Sequence, residues 1–170
     1  MEMSEGMDEG DILKIHTISI DPIETSETLF EKFSDISGTI LIQTLRELET
    51  GGITPLPQDD NIATYCKKIE KEDGFIDWNE SAKKIYQKWQ AYTPWPGIYT
   101  QYEGKRLLLE KVSLFSHCDE GSNPVLPISN TGSFVPQDDG KIGTVIKLED
   151  GNIGIICGSG VLTLSQVKLE

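Results

Sequence analysis

The chain has 170 residues, enough for one ordinary domain or two small ones. Lys and Arg number 15 against 28 Asp and Glu, a formal charge of −13, which argues against nucleic acid because phosphate contacts need cations. Hydrophobic residues at 37%, with three Trp, five Phe and five Tyr, can supply a core and argue against wholesale disorder, and neither an 18-residue apolar run nor a basic-then-apolar leader is present.

The three cysteines, Cys66, Cys118 and Cys157, are odd in number, far apart and without CxxC spacing, so a reduced, cytoplasmic setting is the expectation. His117 beside Cys118 lacks further spaced ligands, and no metal site is expected. The charge is unevenly spread. Residues 1–60 hold 14 acidic and 3 basic residues, whereas residues 61–170 hold 14 and 12. The shift coincides with the Pro-rich stretch ITPLPQDDN, a plausible domain boundary.

In chain order, β-branched Ile12–Ile20 predicts a strand ended by Asp21-Pro22. Ser26 is a suitable N-cap for a helix carrying Leu29, Phe30, Phe33 and Ile36 at helical spacing. A second helix after Gly38 carries Ile40, Leu41, Leu45 and Leu48, and Gly51-Gly52 stop it. One strand and two helices make an α/β unit too small to bury its own faces. From Ile53 to Trp78 a connector follows, with a helical patch around Ala63–Ile69. Asn79 is placed to cap a helix over Glu80–Tyr92, with Ala82, Ile85, Trp89 and Tyr92 inward, and Lys83, Lys84 and Lys88 on the wetter side. Pro94-Trp95-Pro96-Gly97 ends it, since residues before proline leave helical geometry.

The remainder reads as β. Ile98–Tyr102 and Lys105–Phe115 form a hairpin about Glu103-Gly104, and a long polar loop covers 116–140. Strands over Ile142–Leu148, Ile153–Cys157 and Val161–Leu169 follow, separated by Glu149-Asp150-Gly151-Asn152 and Gly158-Ser159-Gly160. Five short strands with tight turns suggest a small barrel or sandwich.

Four segments, in order, resemble the methionyl-tRNA formyltransferase family: GMDEGDIL, QDDNIATYCKKIEKEDGFIDW, AYTPWPGIYTQYEGKRLLLEKV and IGTVIKLEDGNIGIICGSGVLTLSQVKLE. The resemblance covers nearly all of the chain apart from 116–140. It implies an α/β piece of a Rossmann-like formyltransferase domain over 1–52, a linker over 53–78, and an OB-like β-barrel domain with its leading helix over 79–170, lacking the family's extreme C-terminus. The reaction implied is formyl transfer from 10-formyltetrahydrofolate to the amino group of methionyl initiator tRNA, by a monomer without a metal. The family's catalytic carboxylate matches Asp8. Its Asn and His partners and its folate site have no match here, because Asn61 and His16 stand in other contexts, so this chain alone is expected to be inactive.

The resemblance also implies that cations of the linker and barrel meet tRNA: Lys67, Lys68, Lys71, Lys83, Lys84, Lys88, Lys105, Arg106 and Lys111. Bland readings stand beside these roles. Asp8 lies among Glu2, Glu5, Glu9 and Asp11, a solvated acidic run, and the lysines with Glu70, Glu72 and Glu80 suit an ordinary wet face. Trp95 has the surface for stacking on a base, but a buried role at the helix-to-barrel corner is the expectation, as it is for Trp78 and Trp89. Two other functions remain in view: a related formyltransferase acting on a sugar nucleotide or in folate metabolism, and a stand-alone nucleic-acid-binding module.

Overall fold

A computed structural model describes residues 1–115, 141–148 and 151–170, which fall into two units, Met1–Lys68 and Ile69–Glu170. The division lies inside 53–78. Residues 116–140, expected as a long loop and including His117 and Cys118, and Glu149-Asp150, expected in a turn, lie outside the described residues.

In the first unit one helix, α1 (Ser26–Glu49), replaces the two expected. A single mid-helix glycine costs about 1 kcal/mol relative to alanine, too little to break a 24-residue helix, and Gly38 has open space around it. The cap is Thr25 and not Ser26: Thr28 N donates to Thr25 Oγ1 at 3.4 Å and Thr25 N to Thr28 Oγ1 at 3.1 Å, a reciprocal box. The end falls as expected, with Gly51 at φ +74 and Gly52 N bonded to Glu47 O at 2.8 Å.

The strand expected over Ile12–Ile20 is absent because only Ile12 finds a partner. Ile12 N meets Leu56 O at 2.8 Å and Leu56 N meets Ile12 O at 3.0 Å, after which Ile15 and Ile20 are about two-thirds exposed. The expected helical patch at Ala63–Ile69 is also absent. Short 3₁₀ turns at Asp60–Ile62 and Lys71–Gly74 flank it instead.

The second unit sets helix α2 (Ala82–Tyr92) against strands β1 (Ile98–Tyr102), β2 (Lys105–Leu114) and β5 (Val161–Leu169). Together with β3 (Val145–Lys147) and β4 (Ile153–Ile156) they form one antiparallel sheet in the order β1-β2-β5-β4-β3. The sheet is curled, with β1 and β3 as its edges. Strands β3 and β4 are shorter than expected, whereas β5 has the expected bounds. The β1–β2 turn has both central residues at positive φ, Glu103 (+49) and Gly104 (+76), as in the mirror-image turns that suit a twisted hairpin.

Leu109, Lys111 and Val112 of β2 face Val167, Gln166 and Leu164 of β5, so the register slips around Glu110. Trp89 Nε1 donates to the Glu110 carbonyl at this bulge, at 3.1 Å. The bulge leaves both Leu109 and Val112 buried with exposed Lys111 between them. The core holds Ile76, Ala82, Ile85, Ile98, Leu109, Val112, Cys157 and Leu162, with Trp78, Tyr86, Trp89 and Tyr92 packed against it. Ile146, Leu148, Ile156 and Val161 form a smaller cluster beside Phe115.

Asn79 is not the cap of α2. Its backbone N and Nδ2 donate to Asp77 Oδ1 at 3.0 and 2.7 Å, holding the Asp77 carboxyl below the usual range, and Ser81 Oγ caps the helix through Lys84 N at 3.2 Å. The β4–β5 turn then docks on the entry to the helix. Gly158 N donates to Trp78 O at 2.8 Å and Glu80 O at 2.9 Å, and Ala82 N donates to Ser159 O at 2.8 Å. A Cβ on Gly158 would lie 1.8 Å from Asn79 O.

Gly158→Ala is therefore expected to cost about 3 kcal/mol, read from the urea midpoint, and a loss below about 0.5 kcal/mol would show that the turn yields freely. Burial pushes the Cys157 thiol up to about 11, from 9.0. A raised folded-state value stabilises fully below pH 9 and is lost as pH rises towards 11. In a Cys118→Ser background, native protein at pH 8 should present exposed Cys66 to a thiol reagent while Cys157 reacts only on unfolding. The alkaline fall in urea midpoint should shrink in Cys157→Val, and an identical fall would refute the assignment.

Candidate functional site

Two places carry the residues singled out by sequence: the loop around Asp8 in the first unit, and the cations and aromatics of the second. In the loop, Asp8 is exposed with φ +59, a left-handed conformation that Asp tolerates better than most residues. The adjacent glycines differ in what they permit. A Cβ on Gly6 would meet only the flexible end of the Glu9 side chain, whereas a Cβ on buried Gly10 would lie 2.0 Å from Glu2 O. Glu2 N donates to Asp11 O at 2.9 Å and closes the base of the loop.

Across from it, Gln58 Nε2 donates to Asp8 O at 2.8 Å and to Gly10 O at 2.7 Å. Sequence reasoning passed over Gln58, which lies in the ITPLPQDDN stretch read as a boundary. The signal available was a long amide side chain directly after a proline, two residues beyond Leu56, where the chain crosses Ile12.

Of the nine cations, Lys67 and Lys68 belong to the first unit and the other seven to the second. Lys67, Lys68 and Lys71 are exposed, the first two on irregular backbone and Lys71 opening a 3₁₀ turn. Lys83 and Lys84 lie in the first turn of α2. Lys84 is paired with Glu80 at 2.5 Å, and that hydrogen bond raises its pKa. Lys88 is half-buried rather than on the wet side. It donates to Phe75 O at 2.6 Å and lies 5.9 Å from the Tyr92 ring centroid.

Arg106 lies over Tyr99, with Cζ 3.9 Å from the ring centroid, and its Nε is 3.7 Å from Glu170 Oε2. Tyr99 in turn meets Phe75 edge-on, centroids 5.6 Å apart. Lys105 opens β2 and Lys111 follows its bulge, and both are exposed. Lys84, Lys88 and Arg106 are thus held by the fold, while Lys68, Lys71, Lys83, Lys105 and Lys111 make no ion pair among the described residues.

Trp95 corrects the sequence expectation: it is 56% exposed, between exposed Pro94 and buried Pro96. Its corner is tightly held from behind. Gly97, at φ +73, donates its N–H to Tyr92 O at 2.9 Å, and its carbonyl passes so close to Gly74 that a Cβ there would lie 2.2 Å away. Pro96 and Ile98 take the inward places and Trp95 is left outside. Trp78 and Trp89 are part-buried against the core, as expected.

An open groove in the first unit is lined by Lys14, His16, Asp35, Ile36, Thr39 and Gln43. Lys14 is committed to Glu47 at 2.8 and 2.9 Å. Among the described residues no three His, Cys, Asp or Glu gather as a metal set, and no helix is long and apolar enough to cross a membrane.

Residues 68–170 match the formyl transferase C-terminal domain family. The chain is 34% identical, over its full 170 residues, to the methionyl-tRNA formyltransferase of Lachnospira eligens, of which it covers 50%. It is also 34% identical to that of Geobacter metallireducens, of which it covers 48%. The chain thus spans about half the length of these curated relatives. Among solved structures, HypX from Aquifex aeolicus in complex with tetrahydrofolic acid aligns with 98% of the chain and 26% of its own, at 20% identity and a TM-score of 0.63, a likeness of fold. On the match across 68–170, the chain belongs to the formyl transferase C-terminal domain family.

Proposed function

We propose that this chain supplies the Asp8 loop and the tRNA-binding part of a cytoplasmic methionyl-tRNA formyltransferase acting as a monomer. The observation that carries the reading is the 34% identity to enzymes of that name along its whole length, which includes the GMDEGDIL loop as well as the C-terminal sheet. In this reading the α/β unit belongs to a Rossmann-like catalytic domain, and the curled sheet is an OB-like barrel behind the linker.

The chemistry is attack of the methionine amine on the formyl carbon of 10-formyltetrahydrofolate. The C–N bond to the amine forms, the carbonyl oxygen takes the negative charge, and collapse breaks the bond to the folate nitrogen, which leaves with a proton. Asp8 holds the charged form of a histidine and assists proton removal from the amine. Its exposed position on a tightly turned loop supports that role. The Asn and His that would stabilise the oxyanion have no matching positions in this sequence, and the folate is likewise held by residues that this chain does not match.

Initiator tRNA is the partner. Exposed Lys68, Lys71, Lys83, Lys105 and Lys111 support phosphate contact, and exposed Lys67 of the linker is a further candidate. Lys83 is informative because a cation in the first turn of a helix opposes the macrodipole, by about 0.3–1 kcal/mol, a cost that a bound phosphate reverses. Lys84, Lys88 and Arg106 act at one remove, since each is already held by the fold. Exposed Trp95 supports stacking on an unpaired base.

The chain alone should bind methionyl initiator tRNA with a log–log salt slope of about −4. Alanine at Lys83 or Lys111 should each reduce that slope by about 1. Trp95→Ala should weaken binding by about 1–3 kcal/mol at any salt, with its thermal midpoint unchanged. A flat salt dependence would sink the tRNA reading. With 10-formyltetrahydrofolate and methionyl initiator tRNA the chain should form no formylmethionyl-tRNA, and turnover would overturn the assignment of the oxyanion and folate contacts to residues outside this sequence.

A further inference from the structure

Gln58 closes the Asp8 loop from one side. A primary amide nitrogen carries two N–H donors, so this one side chain satisfies two carbonyls, Asp8 O at 2.8 Å and Gly10 O at 2.7 Å. Those carbonyls flank Glu9, and pinning both fixes how the backbone turns from Asp8 to Gly10. That turn sets the direction in which the Asp8 side chain leaves the chain. Asp8 sits at φ +59, which Asp tolerates better than most residues but which still costs more than φ below zero, so contacts that hold the turn count.

Among the described residues the loop is held by the Gly10 contact with Glu2 O, the Glu2–Asp11 and Ser4–Gly6 hydrogen bonds, and Gln58, whose Nε2 also lies 3.9 Å from Met1 Sδ. Gln58 is itself well placed to act as a brace. Leu56 is fixed by its two hydrogen bonds to Ile12, and Pro55 and Pro57 restrict φ on either side of it. From that pinned backbone the Gln58 side chain reaches across to the loop carbonyls.

We propose that Gln58 is a positioning residue: through its paired hydrogen bonds to the Asp8 and Gly10 carbonyls it holds the loop in the conformation that presents the Asp8 carboxylate to the reacting groups. This rests on the catalytic role proposed for Asp8. Gln58 touches no substrate in that scheme. A carboxylate that orients an imidazole must be held to within about 0.5 Å and 10–20°, and an exposed loop needs an external brace to achieve that.

Two substitutions separate donation from shape. Gln58→Met keeps the side-chain length and removes the donors, and Gln58→Glu keeps the shape but turns an acceptor towards two carbonyls. In the 170-residue chain, both should move the ¹³C resonances of the Asp8 and Gly10 carbonyls. Both should also lower the ¹⁵N order parameters of Met7–Glu9 from about 0.85 to below about 0.6. The Ile12 and Leu56 amides and the thermal midpoint should be unaffected.

With the chain joined behind the first half of a curated methionyl-tRNA formyltransferase, Gln58→Met should lower kcat about tenfold, the equivalent of one to two net hydrogen bonds. KM for methionyl-tRNA should stay within twofold, and Asp8→Asn should remove nearly all turnover. Unchanged order at Met7–Glu9, or a rise in KM without a fall in kcat, would overturn the proposal. A loop loosened by Gln58→Met in a protein whose kcat is indifferent to Asp8→Asn would overturn the reading of Asp8 instead, leaving Gln58 a brace without a catalytic client.

Discussion

The second unit depends on a contact that contains no side chain at all. The β4–β5 turn approaches the entry to α2 so closely that Gly158 N is shared between the Trp78 and Glu80 carbonyls, while Ser159 O takes the Ala82 N–H. Those carbonyls precede the helix and that N–H is one of the orphan donors of its first turn, so the turn serves as a backbone cap. Once the start of α2 is pinned, its rotation is set. Ala82 and Ile85 face Leu109 and Leu162, and Trp89 reaches the bulge carbonyl of Glu110. The same arrangement leaves Lys83 and Lys84 outward at the first turn. Lys83 and Lys84 are therefore positioned by a glycine far along the chain, in the β4–β5 turn.

Local chemistry made some elements legible and others not. The β1–β2 hairpin could be read because Glu103-Gly104 is a two-residue turn between apolar runs, and β5 because its β-branched run begins directly after Gly160. The strand over Ile12–Ile20 had equally good β character and does not form, since strand pairing is a property of two segments and only Ile12 has a partner. Gly38 misled in the other direction: its propensity cost is real, but the helical hydrogen bonds on either side of it outweigh one glycine. The caps fall one or two residues from their expected places, with Thr25 and Ser81 instead of Ser26 and Asn79, because several polar residues compete for the same orphan N–H groups and backbone φ and ψ decide among them.

The candidate site residues were singled out by the resemblance of the segments that carry them, and neither composition nor spacing gave their geometry. Asp8 and all nine cations were named from sequence, yet nothing in their spacing distinguishes Lys83, exposed, from Lys88, folded back on Phe75 O. Trp95 was expected to pack inside at the helix-to-barrel corner, but Pro96 and Ile98 are the buried residues there. Gln58 was missed for a related reason: its partners are backbone carbonyls about 50 residues away, and no residue pattern advertises a carbonyl.

Net charge is a poor guide to the local field at any one cation of this chain, and the structure gives the reason. Charges interact at contact or within roughly a Debye length, about 8 Å at physiological salt. A total of −13 therefore says little about the field at a given lysine. What matters is the local commitment of each cation. Lys84 faces Glu80 at 2.5 Å, and a phosphate approaching it would compete with a charge already in place. Lys83, one residue away on the exposed side, has no such rival among the described residues and stands in a helix turn whose own dipole welcomes an anion. Two lysines adjacent in sequence, both exposed in the same turn, thus differ in whether a carboxylate is already in place. The availability of each cation on this acidic chain follows from where the carboxylates are spent, not from how many there are.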